Sequence, residues 1–282
     1  MATFTNFATL TYGDNTVNSN IVTGEIRDVL SATKDPLPDS YTTGDIITYV
    51  VSIINSGDSD FAGLTVTDDL GAYTLADGTT VVYPLNYIAD SVRFYIDGIL
   101  QTAPTTEGGP PLVISGIAIP ANSNGLLIYQ ARANEFAPLS DGSTIINNAT
   151  VSGDGICQDI VATATIALST EPELSITKAL EPTVVPCNGT VTYTFTISNY
   201  GTTAAVATDS VILTDTVDPI IDITSVTING VATTAYTYNT TTGLFRTNDG
   251  TITVPAATAT QNENGSWTVT PGTTTLVVTG TL

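Results

Sequence analysis

Two stretches of this sequence, DIITYVVSIINSG (45–57) and TVTYTFTISNYG (190–201), carry the same pattern 144 residues apart. In each stretch apolar and polar side chains alternate, and the run ends in Asn-x-Gly. Alternation is typical of a β-strand with one buried face, and a closing Asn or Gly marks the turn that follows it. Self-similarity at a fixed spacing indicates a repeated structural unit. The two stretches therefore predict one strand that occurs in two copies of one β-module.

Further segments obey the same offset, or a slightly larger one after a short insertion. The matching elements are Lys34 with Lys178, LTVTDDL (64–70) with VILTDTV (211–217), which pairs Asp68 with Asp215, and IPANSNGLLIYQARA (119–133) with TPGTTTLVVTGTL (270–282). No stretch shows the i, i+3, i+4, i+7 spacing of an amphipathic helix. We therefore predict an all-β chain of two tandem immunoglobulin-like β-sandwich modules, the first module at residues 31–170 and the second module at residues 171–282.

The composition excludes several classes of function. The chain has 6 Lys+Arg against 27 Asp+Glu, a formal net charge of −21, so its surface repels nucleic-acid phosphates and anionic lipid. It has no His, which removes the commonest general base, the Ser–His and Cys–His nucleophile pairs and most zinc sites. We therefore predict a protein that is not an enzyme and holds no cofactor or metal. The Asp-rich turns are interpreted as local hydrogen-bonding residues, with calcium ligation as the alternative.

The chain carries no sequence signal for membrane insertion. No run of 18 apolar residues occurs, and the start, MATFTNFATLTY, lacks the positive and apolar regions of a secretory signal. We expect an extracellular protein, or one on a spore or cell surface, that neither binds nucleic acid nor inserts into a membrane.

The second module is expected to lack its closing strands. In the first module the strand near Arg132 is followed by STIINNATVSGDG (143–155) and DIVATATIAL (159–168). The second module reaches Leu282 at the corresponding point. Because a sandwich without these strands exposes an unpaired edge and an apolar slot, we expect another segment to supply them.

The matching segment lies at the other end of the chain. Residues 6–10 (NFATL) repeat residues 147–151 (NNATV) as Asn-x-Ala-Thr-aliphatic, and each is followed by Gly-Asp. NIVT (20–23) and DIVA (159–162) then continue the match. We therefore predict that residues 1–30 are donor strands for a neighbouring subunit. The side chains predicted on the inward face of the donor strand are Phe4, Asn6, Ala8 and Leu10.

Donation to the second module of the next subunit predicts a homopolymer. The contact is heterologous, so it forms an open filament unless the rotation closes a ring. Main-chain hydrogen bonds of an added strand supply affinity, and its alternate side chains supply fit. The alternative is that residues 1–30 form an edge strand on the first module of their own chain.

Strand parity aims one Lys, one Asp and one Asn at the interior of each module. The two sets are Lys34, Asp68 and Asn147 in the first module, and Lys178, Asp215 and Asn6 of the following subunit in the second module. A buried charge is costly unless it is paired or neutralised. One solution is an unreacted Lys–Asp ion pair with the Asn amide satisfying the remaining donors.

The other solution resembles the immunoglobulin-like pilin domains of Gram-positive surface fibres. In those domains a buried Lys amine attacks an Asn amide beside a carboxylic acid and forms an isopeptide crosslink. The resemblance implies Lys34–Asn147 and Lys178–Asn6 crosslinks with Asp68 and Asp215 as the catalytic carboxyl groups. The flanks of the two Asn residues differ, and Asp69 offers a competing carboxylate.

The whole chain also resembles the Thr-rich bacterial surface conserved-repeat domain, with its TK…P start, its Tyr-Thr strand ending in Asn-x-Gly, and its following T-x-T-D strand. Here these elements read ATKDPLP, ITYVVSIINSG and LTVTDDL in the first copy, and ITKALEP, VTYTFTISNYG and VILTDTV in the second. The resemblance implies a structural protein of the cell envelope or spore surface, with no catalytic activity.

The two cysteines, Cys157 and Cys187, are too few for a disulfide framework. They are a candidate disulfide pair that could bridge within the chain, crosslink neighbours or stay free.

We interpret the protein as the structural subunit of a self-assembling extracellular or spore-surface filament. The alternative is an adhesin or binding module whose sandwiches are spacers, which requires a cluster of exposed aromatic side chains. The candidates for that cluster are Tyr83, Tyr87, Tyr95, Tyr236 and Tyr238.

Overall fold

The structure, a computed structural model, describes residues 2–26 and 28–282. Apart from a single 3-10 turn at Ala207–Asp209, every regular element in these ranges is a β-strand. The prediction of an all-β chain is therefore confirmed. The chain separates into two compact units. These are Met1–Asp39, Gly44–Asn134 and Ile145–Ile166 for one unit, and Ser40–Thr43, Glu135–Thr144 and Ala167–Leu282 for the other. The module boundaries drawn from the sequence stay a prediction.

The N-terminal segment forms a long two-part hairpin, called here the N-terminal hairpin. Its strands are β1 (Ala2–Asn6), β2 (Thr9–Tyr12), β3 (Asn15–Asn18) and β4 (Val22–Ile26). β1 pairs with β4, and β2 pairs with β3, both antiparallel. The tip turns at Gly13, whose φ of +55° lies in the left-handed region that glycine adopts at little cost. Neither pair belongs to a larger sheet in the described chain.

The first module builds two larger sheets. Its strands are β5 (Leu30–Leu37), β6 (Ser40–Tyr41), β7 (Ile46–Asn55), β8 (Phe61–Asp68), β9 (Tyr73–Thr74), β10 (Val81–Val82), β11 (Leu85–Tyr87), β12 (Arg93–Ile96), β13 (Ile99–Leu100), β14 (Thr105–Gly108), β15 (Leu112–Ile119), β16 (Ser123–Ala133), β17 (Thr144–Ser152) and β18 (Ile160–Leu168). One sheet has the order β13-β12-β16-β7-β5, with β11 beside β16, and the other has the order β14-β15-β8-β17-β18-β6.

Alternation along the strands sets the core of the first module. On β7 every second residue from Ile47 to Asn55 is buried, and on β17 every second residue from Ile145 to Val151 is buried. The period of two places these side chains on one face of each sheet. The faces meet in a sandwich, as shown by Asn55 of β7, whose Nδ2 donates to the carbonyl oxygen of Ile119 on β15 (3.3 Å).

The second module repeats the sheet that contains β7 and β16 more completely than the sheet that contains β8 and β17. Its strands are β19 (Leu174–Glu181), β20 (Thr190–Asn199), β21 (Thr214–Thr216), β22 (Asp222–Ile228), β23 (Val231–Ala232), β24 (Tyr236–Asn239), β25 (Leu244–Thr247), β26 (Thr258–Gln261), β27 (Trp267–Thr270) and β28 (Gly272–Thr281). One sheet has the order β19-β20-β28-β22-β23, and the opposing elements are the short sheet β21-β25-β24 and the pair β26-β27.

The repeated Asn-x-Gly motif has the same physical role in both modules. Asn55 Nδ2 donates to the main-chain carbonyls of Ser59, Ile119 and Pro120, and its Oδ1 accepts from the Gly57 N–H. In the second module Asn199 Nδ2 donates to the carbonyls of Thr203 and Pro255, and its Oδ1 accepts from the Gly201 N–H. A Cβ at Gly201 would lie 2.3 Å from the carbonyl oxygen of Glu171, so only glycine fits. The motif therefore ties each strand end to the neighbouring loops.

Candidate functional site

The first module contains a fully buried ion pair. Lys34 on β5 and Asp68 at the end of β8 meet across the sandwich, with 2.5 Å between Nζ and Oδ2 and neither side chain exposed to solvent. Burial lowers the pKa of Lys34, although the facing Asp68 carboxylate opposes that shift. The neutral form of the Lys34 amine is therefore favoured more than it would be for a lysine on the protein surface.

Asn147 on β17 completes the group that the sequence predicts for this module. Its main-chain oxygen accepts a hydrogen bond from Lys34 Nζ at 3.2 Å, and its Oδ1 accepts one from the Gly71 N–H at 3.2 Å. Its Nδ2 is buried and has no hydrogen-bond partner in the described part of the chain. The side-chain carbonyl is thus polarised by a donor, while the amide nitrogen is left unsatisfied.

Two tyrosines that the sequence patterns did not assign to the site surround the ion pair. The Tyr129 hydroxyl donates to Asp68 Oδ2, and Lys34 Nζ lies 4.7 Å from the centre of the Tyr49 ring. The two rings stack with centroids 5.7 Å apart. Burial raises the pKa of Tyr129 and of Tyr49, so both hydroxyls keep their protons. The signal in the sequence was their inward parity, Tyr49 on β7 beside the Lys34 strand and Tyr129 on β16, one strand further.

The competing carboxylate Asp69 is bound elsewhere. Its Oδ1 accepts from the main-chain N–H groups of Gly71 and Asn148, each at 2.9 Å, and its Oδ2 accepts from Asn148 Nδ2 at 2.8 Å. Asp68 and Asp69 point to opposite faces because they are neighbours on one strand end. Asp68 is therefore the carboxylate of the Lys34 site.

The second module has a related but open site. Lys178 Nζ lies 2.7 Å from Asp215 Oδ2, with side chains 40% and 17% exposed, and 4.6 Å from the centre of the Tyr193 ring. The sequence predicts that Lys178 points toward the core; in the described chain it contacts Asp215 and Tyr193 but stays partly exposed. Val278 faces Tyr193 across the strand pair, at the position where Tyr129 faces Tyr49. The open site therefore has no counterpart of the Tyr129 hydroxyl.

The exposure of Lys178 has a structural cause. In the first module β8 is flanked by β15 and β17, whereas β21 pairs only with β25 among the described strands. On β19 the side chains that share the face of Lys178 are uncovered, including Leu174 (40% exposed) and Ile176 (56%). We call the free edge of β21 together with this face of β19 the open slot.

The predicted donor residues lie on the N-terminal hairpin with their side chains in solvent. Phe4 is 56% exposed and Leu10 is 63% exposed, and Asn6 and Ala8 are exposed as well. Asn6 pairs through its backbone with Val22, so the structure does not bring Asn6 to Lys178 of its own chain. The alternative of an edge strand on the first module is not observed for the described residues of the hairpin, which pair only with each other.

The remaining sequence candidates are also placed. Cys157, between β17 and β18, and Cys187, between β19 and β20, are both free and exposed. Within residues 2–26 and 28–282, His, Cys, Asp and Glu side chains form no group suited to a metal ion. Across the same ranges, no helix has the length and apolarity needed to cross a membrane. The five tyrosines of the adhesin alternative are all partly buried.

Comparison with known proteins gives structural similarity alone. No family model and no curated protein sequence matches the chain. Among solved structures, the major pilin fragment of Streptococcus agalactiae matches with a TM-score of 0.37 and 13% identity, covering 81% of this chain and 79% of that one. The pilus backbone protein of Streptococcus pneumoniae matches with a TM-score of 0.35 and 9% identity, covering 86% of this chain and 55% of that one.

A third match is the collagen-binding domain of a Staphylococcus aureus adhesin, with a TM-score of 0.31 and 12% identity, covering 51% of this chain and 99% of that domain. Similarity at this level says nothing about what the present chain binds or assembles with.

Proposed function

We propose that this protein is the subunit of a homopolymeric filament on a cell or spore surface, in which the N-terminal hairpin of one copy fills the open slot of the next. Two observations carry this proposal: the N-terminal hairpin exposes apolar side chains and pairs only with itself, and β21 of the second module has a free edge in the described chain. An isolated two-stranded hairpin is marginally stable in water, and exposed strand edges promote association.

The first module supplies the template for the fit. On β17 the inward side chains are Ile145, Asn147, Ala149 and Val151, all buried. The residues at the same places in the repeat are Phe4, Asn6, Ala8 and Leu10. The order large apolar, Asn, Ala, aliphatic is the same in both strands. A hairpin placed against β21 as β17 lies against β8 would cover Lys178 and Asp215.

The gain from this insertion is large. Burying an aromatic or aliphatic side chain contributes about 1.5–3 kcal/mol, and both Phe4 and Leu10 are more than half exposed in the single chain. Strand addition also pairs the free backbone groups of β21. Because the two surfaces differ, each added copy presents a new open slot, and growth continues head to tail.

Insertion also places an Asn amide beside Lys178 and Asp215, as Asn147 lies beside Lys34 and Asp68. In the crosslinking step, the neutral Lys Nζ attacks the Asn Cγ. A C–N bond forms, the bond from Cγ to Nδ2 breaks, and ammonia leaves with a proton that the Asp carboxyl group relays from Nζ. Lowering of the Lys34 pKa by burial and the Gly71 N–H bond to Asn147 Oδ1 both support this step in the first module.

Electron microscopy of the purified full chain tests assembly. Phe4→Asp with Leu10→Asp should abolish fibres, because it places two charges in the slot. The matched control, Thr5→Asp with Thr9→Asp, adds the same charges to the opposite face of the same strands and should leave fibres intact. Fibres formed equally by both double variants would overturn the proposal.

Intact mass tests the crosslinks separately. Each bond removes one ammonia from the mass. Lys178→Arg keeps the cation but cannot form the amide, so it should turn a denaturant-resistant ladder into monomers. Lys34→Arg should leave the ladder and raise the mass of each subunit by the ammonia retained, after correction for the substitution. Fibres whose subunits have lost no ammonia would refute the crosslinks but would not contradict the filament.

A further inference from the structure

The chain has only two thiols, and each lies near one of the two surfaces that the proposed arrangement brings together. Cys157 is in the loop that joins β17 to β18, and Cys187 is in the loop that joins β19 to β20. Both are free and exposed. Their role concerns the junction between two copies, and it rests on the proposed function, because that junction exists only if the N-terminal hairpin inserts head to tail.

Cys157 lies at the base of the N-terminal hairpin. It lines one surface depression together with Asp28 and Val29. Val29 is fixed there, because its carbonyl oxygen accepts a hydrogen bond from the Ser56 N–H at 2.8 Å. Cys157 therefore stays next to the point where the chain passes from the hairpin into β5, whatever the hairpin itself contacts.

The first module shows where the second strand of the inserted hairpin ends. β18 runs parallel to β6, with Leu168 opposite Tyr41. The repeat equates residues 160–168 with residues 21–29, because DIVA matches NIVT, and the offset of 144 equates Tyr41 with Val185. In a completed second module, Val29 of the incoming chain should thus lie beside Val185 of the acceptor, two residues from Cys187.

The segment that would receive this strand end is unpaired in the single chain. Val184 is 87% exposed, and residues 182–189 belong to no strand. Val185 is partly buried against the small cluster that includes Val191 and Val217, which fixes the position of the loop. The counterpart of β6 is therefore present but has no strand beside it in the described chain.

The linker between the two copies is short. β4 ends at Ile26, and Val29 is held on the first module, so only two residues lie between these two anchor points and the connection can span at most about 10 Å. Cys157 of the incoming chain and Cys187 of the acceptor lie on either side of this short connection. We propose that these two thiols form a disulfide between successive subunits.

The bond would be a redox lock on a contact that strand insertion has already made. Two thiols lose two protons and two electrons as the S–S bond forms, and the electrons pass to dioxygen or to a low-molecular-weight disulfide by exchange. The bond requires Cα atoms about 4.4–6.8 Å apart, a distance that exposed loops at a shared junction can reach. Because both thiols are exposed, the oxidant and any reductant have access to them.

The test uses full-length chains with Lys178→Arg, which cannot form the amide crosslink between subunits, so that any remaining ladder is reducible. These chains are assembled under reducing conditions and then oxidised with glutathione disulfide. Denaturing electrophoresis without reductant should show a ladder that collapses to monomer on reduction. Peptide mapping should join the segments that contain Cys157 and Cys187.

Two further variants identify the partner thiols. Cys157→Ser or Cys187→Ser alone should give no reducible ladder, whereas an equal mixture of the two should give reducible dimers and nothing longer. Dimers from either variant alone, or a monomer that contains the bond, would overturn the proposal. Fibres in the micrographs without a reducible ladder would overturn the disulfide alone. The absence of both fibres and ladder would overturn the filament as well.

Discussion

The Lys34 site and the Lys178 site are built from the same residue types but differ in solvent exposure. The Lys34–Asp68 pair is fully buried, whereas Lys178 is 40% exposed beside Asp215. The difference comes from β17, which covers the first site and has no counterpart in the described part of the second module. The presence or absence of one covering strand therefore separates a buried ion pair from a partly exposed one.

The largest expected difference between the sites is the cost of losing the lysine. Relative to a chain whose Lys34 has not reacted, Lys34→Ala leaves Asp68 buried without its partner and should cost about 3–5 kcal/mol of unfolding free energy. In the unassembled chain, Lys178→Ala should cost less than about 1 kcal/mol, because exposed ion pairs contribute little. Hydrogen exchange followed by mass spectrometry measures each module separately. Equal costs at the two sites would contradict this contrast between a buried and an open pair.

The Asn-x-Gly motif offers a comparison in which the modules should behave alike. Asn55 and Asn199 are both buried, and each side chain bonds the main chain of neighbouring loops through both its Nδ2 and its Oδ1. Alanine at either position should cost about 3 kcal/mol, since several main-chain groups lose their partner at once. Trp267 is the only tryptophan, so its fluorescence in a urea titration reports the Asn199→Ala effect in the second module. A cost confined to one module would show that the repeat is not energetically equivalent.

The smallest expected effect concerns the tyrosine that only the first site possesses. Tyr129→Phe removes a hydrogen bond to the buried Asp68 carboxylate and should cost about 1.5–3 kcal/mol, the usual range for bonds to charged groups. Tyr193→Phe is the matched control, with an expected cost below about 0.5 kcal/mol, because its hydroxyl has no described hydrogen bond. Hydrogen exchange in each module measures both. Indistinguishable costs would remove Tyr129 from the site.

Much of the fold follows from local sequence. Alternation from Ile47 to Asn55 and from Ile145 to Val151 predicts strands with one buried face, and the structure has β7 and β17 there. The same parity aims Lys34, Asp68 and Asn147 into the core. The face of the sheet to which a side chain points depends only on its position along the strand, so one sequence is enough to predict it.

The parts that sequence reasoning missed depend on which strands lie opposite each other. The Tyr129 bond to Asp68 joins β16 to β8, which are in different sheets, and no spacing along the chain predicts that meeting. In the second module Val278 occupies the position that Tyr129 occupies in the first module. This difference could be identified only after the pairing of β28 with β20 was known. Distances, burial and pKa shifts arise at this level of packing.

Hydrogen exchange of the full chain before and after assembly tests the central claim most directly. We predict that the amides of β1 and β4 and those of β21 (Thr214–Thr216) gain protection together on assembly, while β8 and β17 are unchanged. Fibres in which the N-terminal hairpin and β21 exchange as fast as in the single chain would contradict strand insertion.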